Sequence, residues 1–236
     1  MKLPIEYVDK RRKYILFKND CGVTDCARDG RIYEQYIFDW ITNNLNVEGK
    51  TILDVGANFG FHSLEFADLV GASGTIHSFE PQKLIYYQLC GNVILNGHRN
   101  ITCHNLALSD THTTLKMENP QYESPNTINI GNSHLDAFYH HGFNYVDVQT
   151  LDSFEFNDVA VLKIDVQGYE PKVLDGARET IAKHKPVIFI EVELPHLQIY
   201  GFNENSIFDR LSSLGYSFEK LVNADHIVDY IATPNI

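Results

Sequence analysis

Carboxylates and glycines in residues 51–80 have the spacing of a ligand-binding turn. A short apolar segment contains Asp54 and leads into a turn with Gly56 and Gly60, which a helical run follows. A second apolar segment ends at Glu80. Glycines in such a turn let the backbone approach a ligand closely, and an acid at the end of the second strand can accept hydrogen bonds from a ribose diol. The pattern predicts the first half of a nucleotide-binding βαβ unit.

The residues between these glycines indicate the kind of ligand. A dinucleotide-binding turn reads Gly-x-Gly-x-x-Gly, and its middle glycine admits a pyrophosphate to the helix N-terminus. Here Asn58 and Phe61 occupy the second and third glycine positions. The carboxylate of Asp54 would repel a pyrophosphate and attract the ammonium group of an amino acid. We therefore expect a ligand with adenine, ribose and an amino-acid tail but no phosphate, a description that S-adenosylmethionine meets.

Polar residues also end three later apolar segments. They are Asn105, Asp165 and Glu191. In open parallel sheets the ligand lies beyond the carboxyl ends of the strands, where Asp54 and Glu80 are predicted to lie as well. We expect these side chains to meet at one crevice.

Lys163 and Asp165 lie two residues apart and so share one face of the predicted fourth strand. A parallel central strand is normally apolar on both faces, and a lysine there needs a carboxylate or access to the crevice. One interpretation makes Lys163 a base or an orienting cation beside Asp165. The other is a structural ion pair of Lys163 with Asp165 or Glu191, and the sequence leaves both open.

Two routes of proton removal are compatible with these residues. Asp165 and Glu191, with Glu193 as a further ligand, offer the oxygen atoms that Mg²⁺ or Mn²⁺ prefers. Such an ion would lower the pKa of a substrate hydroxyl. In the metal-free alternative, His196 or another base takes the proton.

Residues 118–144 are polar and contain several helix and strand breakers, so we predict a long irregular segment. Loops of this length in compact domains are usually functional or disordered. His134, His140 and His141 lie in it without a cysteine or carboxylate at ligand spacing. We interpret them as lid or substrate contacts.

A helix is predicted over residues 29–45, because its apolar residues recur at helical spacing in one wide stripe. Most of the stripe is expected to pack on the core. Its residues Tyr33, Glu34 and Tyr36 are candidates to lie over the crevice and close it.

Apolar strands alternate with helices through most of the chain, among them a strand over residues 100–108 and a helix from Glu170 to Ile181. This order predicts an α/β fold with a mostly parallel, Rossmann-like sheet and helices on both faces. A hairpin near the C-terminus would add one antiparallel strand at the edge of the sheet. We expect residues 50–236 to form this domain and residues 1–49 to form an N-terminal cap.

The 236-residue chain has a formal net charge of −12 at pH 7. Because phosphate backbones and anionic lipids attract basic proteins, this charge disfavours nucleic-acid and membrane partners. The four cysteines form no CxxC pair, no apolar run has the length of a membrane span, and the first residues lack the apolar core of a signal peptide. We expect a cytoplasmic protein that acts on a small molecule.

The chain carries six motifs in order: Asp54-Val-Gly-Ala-Asn-Phe-Gly60, Ser78-Phe-Glu-Pro81, Asn105-Leu-Ala-Leu-Ser-Asp110, Thr150-Leu-Asp-Ser-Phe154, Leu162-Lys-Ile-Asp-Val-Gln-Gly-Tyr-Glu170 and Pro186-Val-Ile-Phe-Ile-Glu-Val192. Together they resemble the FkbM-type S-adenosylmethionine-dependent methyltransferases, over about residues 30–232. The resemblance implies a class I methyltransferase fold and O-methylation of a hydroxyl group, often on a sugar or polyketide-type molecule.

The resemblance also implies roles for single residues. The methionine part of the cofactor would be surrounded by Asp54, Gly56, Asn58, Phe59 and Gly60. Glu80 would hold the ribose hydroxyls, Asn105, Leu106 and Ala107 would border the adenine, and Asp165 would face the methyl group. We also count Glu34 and Pro81 among the cofactor-binding residues.

One residue departs from the family pattern. The family usually has Asp-x-Glu-Gly where this chain has Asp165-Val-Gln-Gly168. Gln167 removes a charge next to Asp165, which weakens the proposal of a metal ion there.

Other functions remain open from the sequence. Glu80 would also suit the ribose of NAD in an oxidoreductase, although the third glycine and a hydride-transfer constellation are missing. A nucleic-acid base methyltransferase would need an Asn/Asp-Pro-Pro-Tyr type motif and a basic face. A non-catalytic binding module with a methyltransferase fold would have the same crevice as an enzyme.

Overall fold

The computed structural model describes residues 3–137, 140–221 and 228–235. In these residues the strands are β1 (Ile5–Asp9), β2 (Lys13–Phe17), β3 (Thr51–Val55), β4 (Thr75–Phe79), β5 (Ile101–His104), β6 (Ala107–Leu108), β7 (Thr113–Glu118), β8 (Phe143–Gln149), β9 (Val159–Ile164), β10 (Val187–Val192), β11 (Tyr216–Lys220) and β12 (Val228–Pro234). The α-helices are α1 (Val23–Asp29), α2 (Gln35–Asn44), α3 (Phe61–Val70), α4 (Lys83–Leu95), α5 (Glu170–Asp175), α6 (Arg178–His184), α7 (Leu194–Ile199) and α8 (Glu204–Ser213).

The central sheet has the strand order β11-β12-β10-β9-β3-β4-β5. β10, β9, β3, β4 and β5 run parallel, whereas β12 runs antiparallel to β10 and β11. The prediction of a mostly parallel sheet with a C-terminal hairpin is confirmed. The antiparallel strand lies one position in from the edge, however, because β12 pairs with β10 and leaves β11 as the edge strand.

Register aligns the carboxyl ends of the central strands. Val55 at the end of β3 pairs with Phe79 in β4 and with Ile164 in β9, and Ile164 pairs with Ile190 in β10. The residues that follow these strands therefore open at one edge of the sheet. A ligand crevice is expected there in an open α/β sheet.

The core lies on both faces of the sheet because consecutive residues of a strand point to opposite faces. In β3, Leu53 packs in one apolar cluster, with residues of α5, α6 and α8, whereas Ile52 packs in another, with residues of α2 and α3. Leu162 and Val161 of β9 divide between the same two clusters. Strands that are buried on both faces are continuous apolar runs in the sequence. The sequence therefore predicts them.

Backbone turns divide three predicted elements. The helix predicted over residues 29–45 is α2 alone, since Gly30 ends α1 with φ +73° and Glu34 adopts φ +50° before α2. The strand predicted over residues 100–108 divides into β5 and β6, and β6 joins a separate sheet of order β6-β8-β7. The helix predicted from Glu170 is α5 and α6, with a break at Gly176. In the described residues, no helix has the length and apolar character that a membrane span needs.

Candidate active site

A cavity of about 310 Å³ lies at the carboxyl edge of the central sheet. Its walls are the ends of β3, β4, β9 and β10, the segment around β6, and side chains from residues 22–33, 129–135 and 193–196. Ligand pockets in proteins occupy roughly 300–1,000 Å³ and usually lie at this position in α/β sheets. The cavity is therefore the candidate active site.

Some of the predicted site residues line the cavity and others do not. Those that line it are Gly56, Asn58, Glu80, Pro81, Leu106, Ala107, Asp165, Glu191 and His196. Those that do not line it are Glu34, Asp54, Phe59, Gly60, Asn105 and Lys163.

The end of the cavity at β4 is apolar around a single carboxylate. Phe79, Leu106 and Leu108 line it together with Glu80. Glu80 accepts hydrogen bonds from the backbone N–H groups of Asn58 (3.0 Å) and Gln82 (2.7 Å). Burial raises the pKa of Glu80 to about 8, although these two hydrogen bonds act in the opposite direction. This end offers a flat apolar surface beside an acceptor for hydroxyl groups.

The turn after β3 requires its glycine. Gly56 adopts φ +83°, and a Cβ atom there would lie 1.8 Å from the carbonyl oxygen of Asp165. The backbone of this turn consequently contacts the end of β9 directly, which only glycine allows. Asn58 also has a left-handed conformation (φ +50°), and its Oδ1 accepts a hydrogen bond from the N–H of Phe59 (2.8 Å). The side chain of Asn58 thereby fixes the entry into α3.

Two predicted site residues, Asp54 and Asn105, contact residues near the cavity without lining it themselves. Asp54 is fully buried and accepts a hydrogen bond from the hydroxyl of Ser63, whereas its Oδ1 has no donor among the described residues. Asn105 donates from Nδ2 to the carbonyl oxygens of Glu80 (2.9 Å) and Pro81 (3.1 Å). Asn105 thus holds the chain after β4 in place.

The end of the cavity at β9 and β10 is rich in carboxylates. Nζ of Lys163 lies 3.2 Å from Oδ2 of Asp165. Gln167 donates from Nε2 to Oδ1 of Asp165 (3.2 Å) and to Oε2 of Glu191 (3.4 Å). The loop that presents these groups is folded by Glu170, whose Oε1 accepts from the N–H groups of Val166 and Gly168 (both 3.1 Å).

The charges at this end are coupled. Burial acts to raise the pKa of Asp165, but Lys163 and a hydrogen bond with Glu191 outweigh it and hold that pKa below its usual range. Burial and the neighbouring Asp165 raise the pKa of Glu191 well above its usual value. The two carboxyl groups therefore titrate as a coupled pair, in which Asp165 is the more acidic and Glu191 the less acidic member.

No metal site at Asp165 and Glu191 is supported by the part of the chain that the structure describes. It contains no group of three or more His, Cys, Asp or Glu side chains that could hold a metal ion. Donors from the protein already contact three of the four oxygens of the pair. The ammonium of Lys163 lies at Oδ2 of Asp165, and the amide of Gln167 lies at Oδ1 of Asp165 and Oε2 of Glu191.

Lys163 is a structural cation rather than a base. It is buried and does not line the cavity. Burial acts to lower its pKa, but four carboxylates outweigh burial and raise it: Asp165, Asp54, Glu34 and Glu191. A lysine that stays charged has no free electron pair, so of the two interpretations the ion pair with Asp165 is the one that the geometry supports.

Two histidines line the cavity, each beside a glutamate. Nε2 of His62 lies 2.9 Å from Oε2 of Glu34, and Nδ1 of His196 lies 3.1 Å from Oε2 of Glu193. Both contacts are within ion-pair distance but bent away from a linear hydrogen bond. Glu34 is thus occupied by His62 and does not reach the cavity, although its neighbour Tyr33 does.

Helix α7, which carries His196, was missed by the sequence reasoning. It is six residues long, so it has too few positions for a helical apolar stripe. The available signal was Pro195 in its first turn, a position where proline is favoured. His62 was missed for a different reason: its spacing is that of any residue in the first turn of α3, and only the fold places it at the cavity.

The irregular segment predicted over residues 118–144 covers the cavity. Asn129, Asn132 and Ser133 line it. The ring of His134 packs edge-on against that of His196, with centroids 5.0 Å apart, whereas His140 and His141 do not line the cavity. The segment supplies amide and hydroxyl groups to a wall that otherwise consists of strand ends.

The cavity has no basic side chain of the Lys or Arg type among its described lining residues. It does have four carboxyl groups: Glu80, Asp165, Glu191 and Glu193. A diphosphate needs cations or a glycine-rich helix N-terminus. This lining favours a ligand that carries positive charge and no phosphate.

Comparison with known proteins gives the family. The profile described as the methyltransferase FkbM domain matches residues 54–218, more than half of the chain. The chain belongs to the FkbM methyltransferase family. A search of curated proteins gave no match.

Solved structures with the same fold include methyltransferases of several kinds. A methyltransferase FkbM from Methylobacillus flagellatus is 15% identical, with a TM-score of 0.56 over 89% of this chain and 52% of that protein. The FkbM chain described here thus spans about half the length of that protein. A SAM-dependent O-methyltransferase from Thermotoga maritima is 16% identical, with a TM-score of 0.57 over 94% of this chain and 73% of that one. A precorrin-6y C5,15-methyltransferase from Geobacter metallireducens is 16% identical, with a TM-score of 0.51 over 86% of this chain and 91% of that one. At these identities the likeness shows the class I methyltransferase fold.

Proposed function

We propose that this chain transfers the methyl group of S-adenosylmethionine to a hydroxyl group of a small molecule, with a sugar or glycan as the acceptor. The observation that carries the proposal is the set of ionisable side chains that line the cavity: four carboxyl groups and no Lys or Arg among its described lining residues. The cofactor brings a sulfonium and an ammonium group to this lining, whereas a dinucleotide would bring a diphosphate.

The residues present fit the cofactor. The apolar surface at Phe79, Leu106 and Leu108 suits an adenine ring, and Glu80 beside it suits the ribose hydroxyls. Oδ1 of Asp54 is buried without a donor among the described residues, as a carboxylate that receives an ammonium group or a bridging water would be. These contacts would place the amino-acid end of the cofactor towards β9.

The bound cofactor would supply a methyl group already activated by its sulfonium. The protein then needs to align the acceptor oxygen, exclude water and remove one proton. Asp165 remains ionised beside the cavity and would stabilise a nearby positive charge. Residues 129–135 and the N-terminal residues Gly22 and Val23 cover the cavity and would restrict access of water.

An uncharged, hydroxyl-rich acceptor matches the rest of the wall. Tyr33, Asn129, Asn132, Ser133 and Tyr169 bring hydroxyl and amide groups to it. Such groups donate to and accept from hydroxyls without requiring charge on the acceptor. A nucleic-acid acceptor would instead require basic residues at the entrance.

The test is a turnover assay for S-adenosylhomocysteine with the methyl glycosides of glucose, mannose and rhamnose as acceptors. We expect a methylated glycoside in amounts equal to the S-adenosylhomocysteine formed. Transfer to a phenol or hydroxy acid in preference to every glycoside would contradict the sugar acceptor. Tight cofactor binding without transfer to any hydroxyl would indicate a binding module.

A further inference from the structure

Several side chains at the acceptor end of the cavity line it and carry an atom that can accept a proton. Glu191 is set aside because its raised pKa favours the protonated form, and Glu193 because it lies beside the ring of His196. Asp165, His62 and His196 remain. Their surroundings differ enough to separate them.

Asp165 is poorly suited to this task. Both of its oxygens are engaged, Oδ2 by Lys163 and Oδ1 by Gln167. Burial acts to raise its pKa, but the charge of Lys163 and a hydrogen bond with Glu191 outweigh burial and hold that pKa below its usual range. A carboxylate stabilised in this way is a weak base.

His62 is held as part of the core. Its ring lies against those of Tyr33, Phe38, Phe61 and Phe66, with centroid distances of 5.7 to 6.1 Å. The nitrogen at the tip of the ring, Nε2, is the one that faces Glu34. Little of His62 is left to contact an acceptor.

His196 has the opposite arrangement. Glu193 contacts Nδ1, the nitrogen nearer the backbone, so Nε2 at the tip of the ring is the nitrogen that this carboxylate leaves free to receive a proton. The contact is bent away from a linear hydrogen bond, so Glu193 acts on the ring through its charge, which favours the tautomer in which the nearer nitrogen carries hydrogen. Glu193 precedes α7, and its backbone carbonyl accepts from the N–H groups of His196 and Leu197 (both 3.1 Å). Both members of the pair are therefore fixed by the same helical turn.

The loop that presents Asp165 also packs on this turn. A Cβ atom at Gly168 would lie 2.3 Å from the carbonyl oxygen of His196. The backbone of the loop thus packs directly against the backbone of α7 at His196, which leaves no room for a side chain at Gly168. His134 packs edge-on against the ring of His196 and limits its rotation.

We infer that His196 is the residue that accepts the proton of the acceptor hydroxyl and that Glu193 is the positioning residue that orients it. This inference rests on the proposed methyl transfer. In the step, the acceptor oxygen forms a bond to the methyl carbon, the carbon–sulfur bond breaks with its electron pair left on sulfur, and the hydroxyl proton passes to Nε2 of His196. The resulting imidazolium lies beside Glu193 and releases its proton to solvent in the next cycle.

Kinetics of substituted proteins test the assignment, with the methyl glycoside that turns over fastest in the wild-type protein as acceptor. We expect His196→Gln to lower kcat about 10²- to 10⁴-fold, with the dissociation constant of S-adenosylmethionine unchanged. Glu193→Gln is expected to lower kcat about tenfold, and Glu193→Asp to lower it less. Because Glu193 acts through His196, the double variant should be no slower than His196→Gln alone.

His62→Gln and His184→Gln are the comparisons. His62→Gln should lower the unfolding temperature, and its effect on kcat should be smaller than that of His196→Gln. His184→Gln, on α6 outside the cavity, should change neither the unfolding temperature nor kcat. The inference is overturned if His196→Gln keeps its kcat, if His62→Gln loses kcat in its place, or if the effects of Glu193→Gln and His196→Gln multiply in the double variant.

A measurement without turnover separates this inference from the proposed function. Nitrogen-15 NMR of the wild-type protein reports which ring nitrogen of His196 carries hydrogen. We expect the Nδ1–H form in the wild-type protein and a larger share of the Nε2–H form in Glu193→Gln. An Nε2–H form in both proteins contradicts the role of Glu193, whereas absence of methyl transfer in a protein with the expected tautomer contradicts the proposed function instead.

Discussion

The two ends of the cavity are built in different ways. At β4, the wall comes from residues in or within two positions of strand ends: Phe79, Glu80, Leu106 and Ala107. At β10, the wall combines residues from the N-terminal segment, the irregular segment and α7: Tyr33, Ser133, Glu193 and His196. The first end depends on short-range sequence and the second on contacts between distant segments. This difference suits a cofactor shared by a family and an acceptor that differs among its members.

Between the two ends, the turn at Gly56 is the position most sensitive to substitution. A Cβ atom there would lie 1.8 Å from a backbone oxygen, and φ is +83°. We expect Gly56→Ala to lower the free energy of unfolding by about 3 kcal/mol or more, measured by chemical denaturation.

Gly201→Ala is the matched control for this substitution. Gly201 has a similar φ (+74°), but a Cβ atom there would have no neighbouring atom of the described residues within 4 Å. The control should lose only about 1 to 2 kcal/mol, the cost of a left-handed residue. Equal losses in the two variants would show that the contact between the turn and β9 does not constrain the cavity.

Asp20 tests the long-range contacts of the covering segments. Its Oδ1 accepts from the N–H groups of Ile130 (2.9 Å) and Cys21 (3.0 Å) and so joins the irregular segment to the N-terminal one. Burial raises the pKa of Asp20 to about 6, against the effect of these hydrogen bonds and of Arg28. Because the folded pKa lies above the unfolded value of 3.8, the fold favours the protonated form.

Stability should therefore fall as the pH rises from about 4 to about 6, by about 2 kcal/mol from this group. Asp20→Asn keeps the acceptor oxygen without the charge. We expect this part of the pH dependence to disappear in the variant, as measured by denaturation at several pH values. The same pH dependence in both proteins would mean that Asp20 is not buried beneath the covering segment.

The smallest expected effect is on ligand affinity and comes from Glu80. It tests the β4 end of the cavity separately from the β10 end. Hydroxyl donors favour an ionised carboxylate, whereas burial raises the pKa of Glu80 to about 8 in the free protein. Below that pH, binding must remove a proton from Glu80. The affinity for S-adenosylmethionine should therefore rise between pH 6 and pH 8. A rise of about tenfold corresponds to a change of one unit in the pKa of Glu80 on binding.

Glu80→Gln should lack that rise and bind more weakly at pH 8. Since both proteins bind the same ligand, the difference between their pH profiles isolates Glu80 from the ionisation of the ligand. Parallel profiles would place the ribose elsewhere in the cavity.

The sequence predicted what depends on local spacing. The buried strands β3, β9 and β10 are continuous apolar runs, and the carboxylates at their ends lie where the parallel sheet requires. The prediction of one helix over residues 29–45 was wrong because Gly30 and Glu34 permit left-handed turns that apolar spacing does not reveal. The sequence also does not show that Lys163 and Gln167 contact Asp165, and the metal ion suggested for Asp165 and Glu191 finds no support in the described residues. The contact of Glu193 with His196 depends on a six-residue helix that has no periodic signal of its own.

The central claim is that this cavity accepts a cationic adenosyl ligand and rejects a diphosphate. Calorimetry that compares S-adenosylmethionine with NAD on the same protein tests it directly. We expect saturable heat with S-adenosylmethionine, reduced in Glu80→Gln, and none with NAD. Saturable binding of NAD together with no response to S-adenosylmethionine or S-adenosylhomocysteine would contradict it.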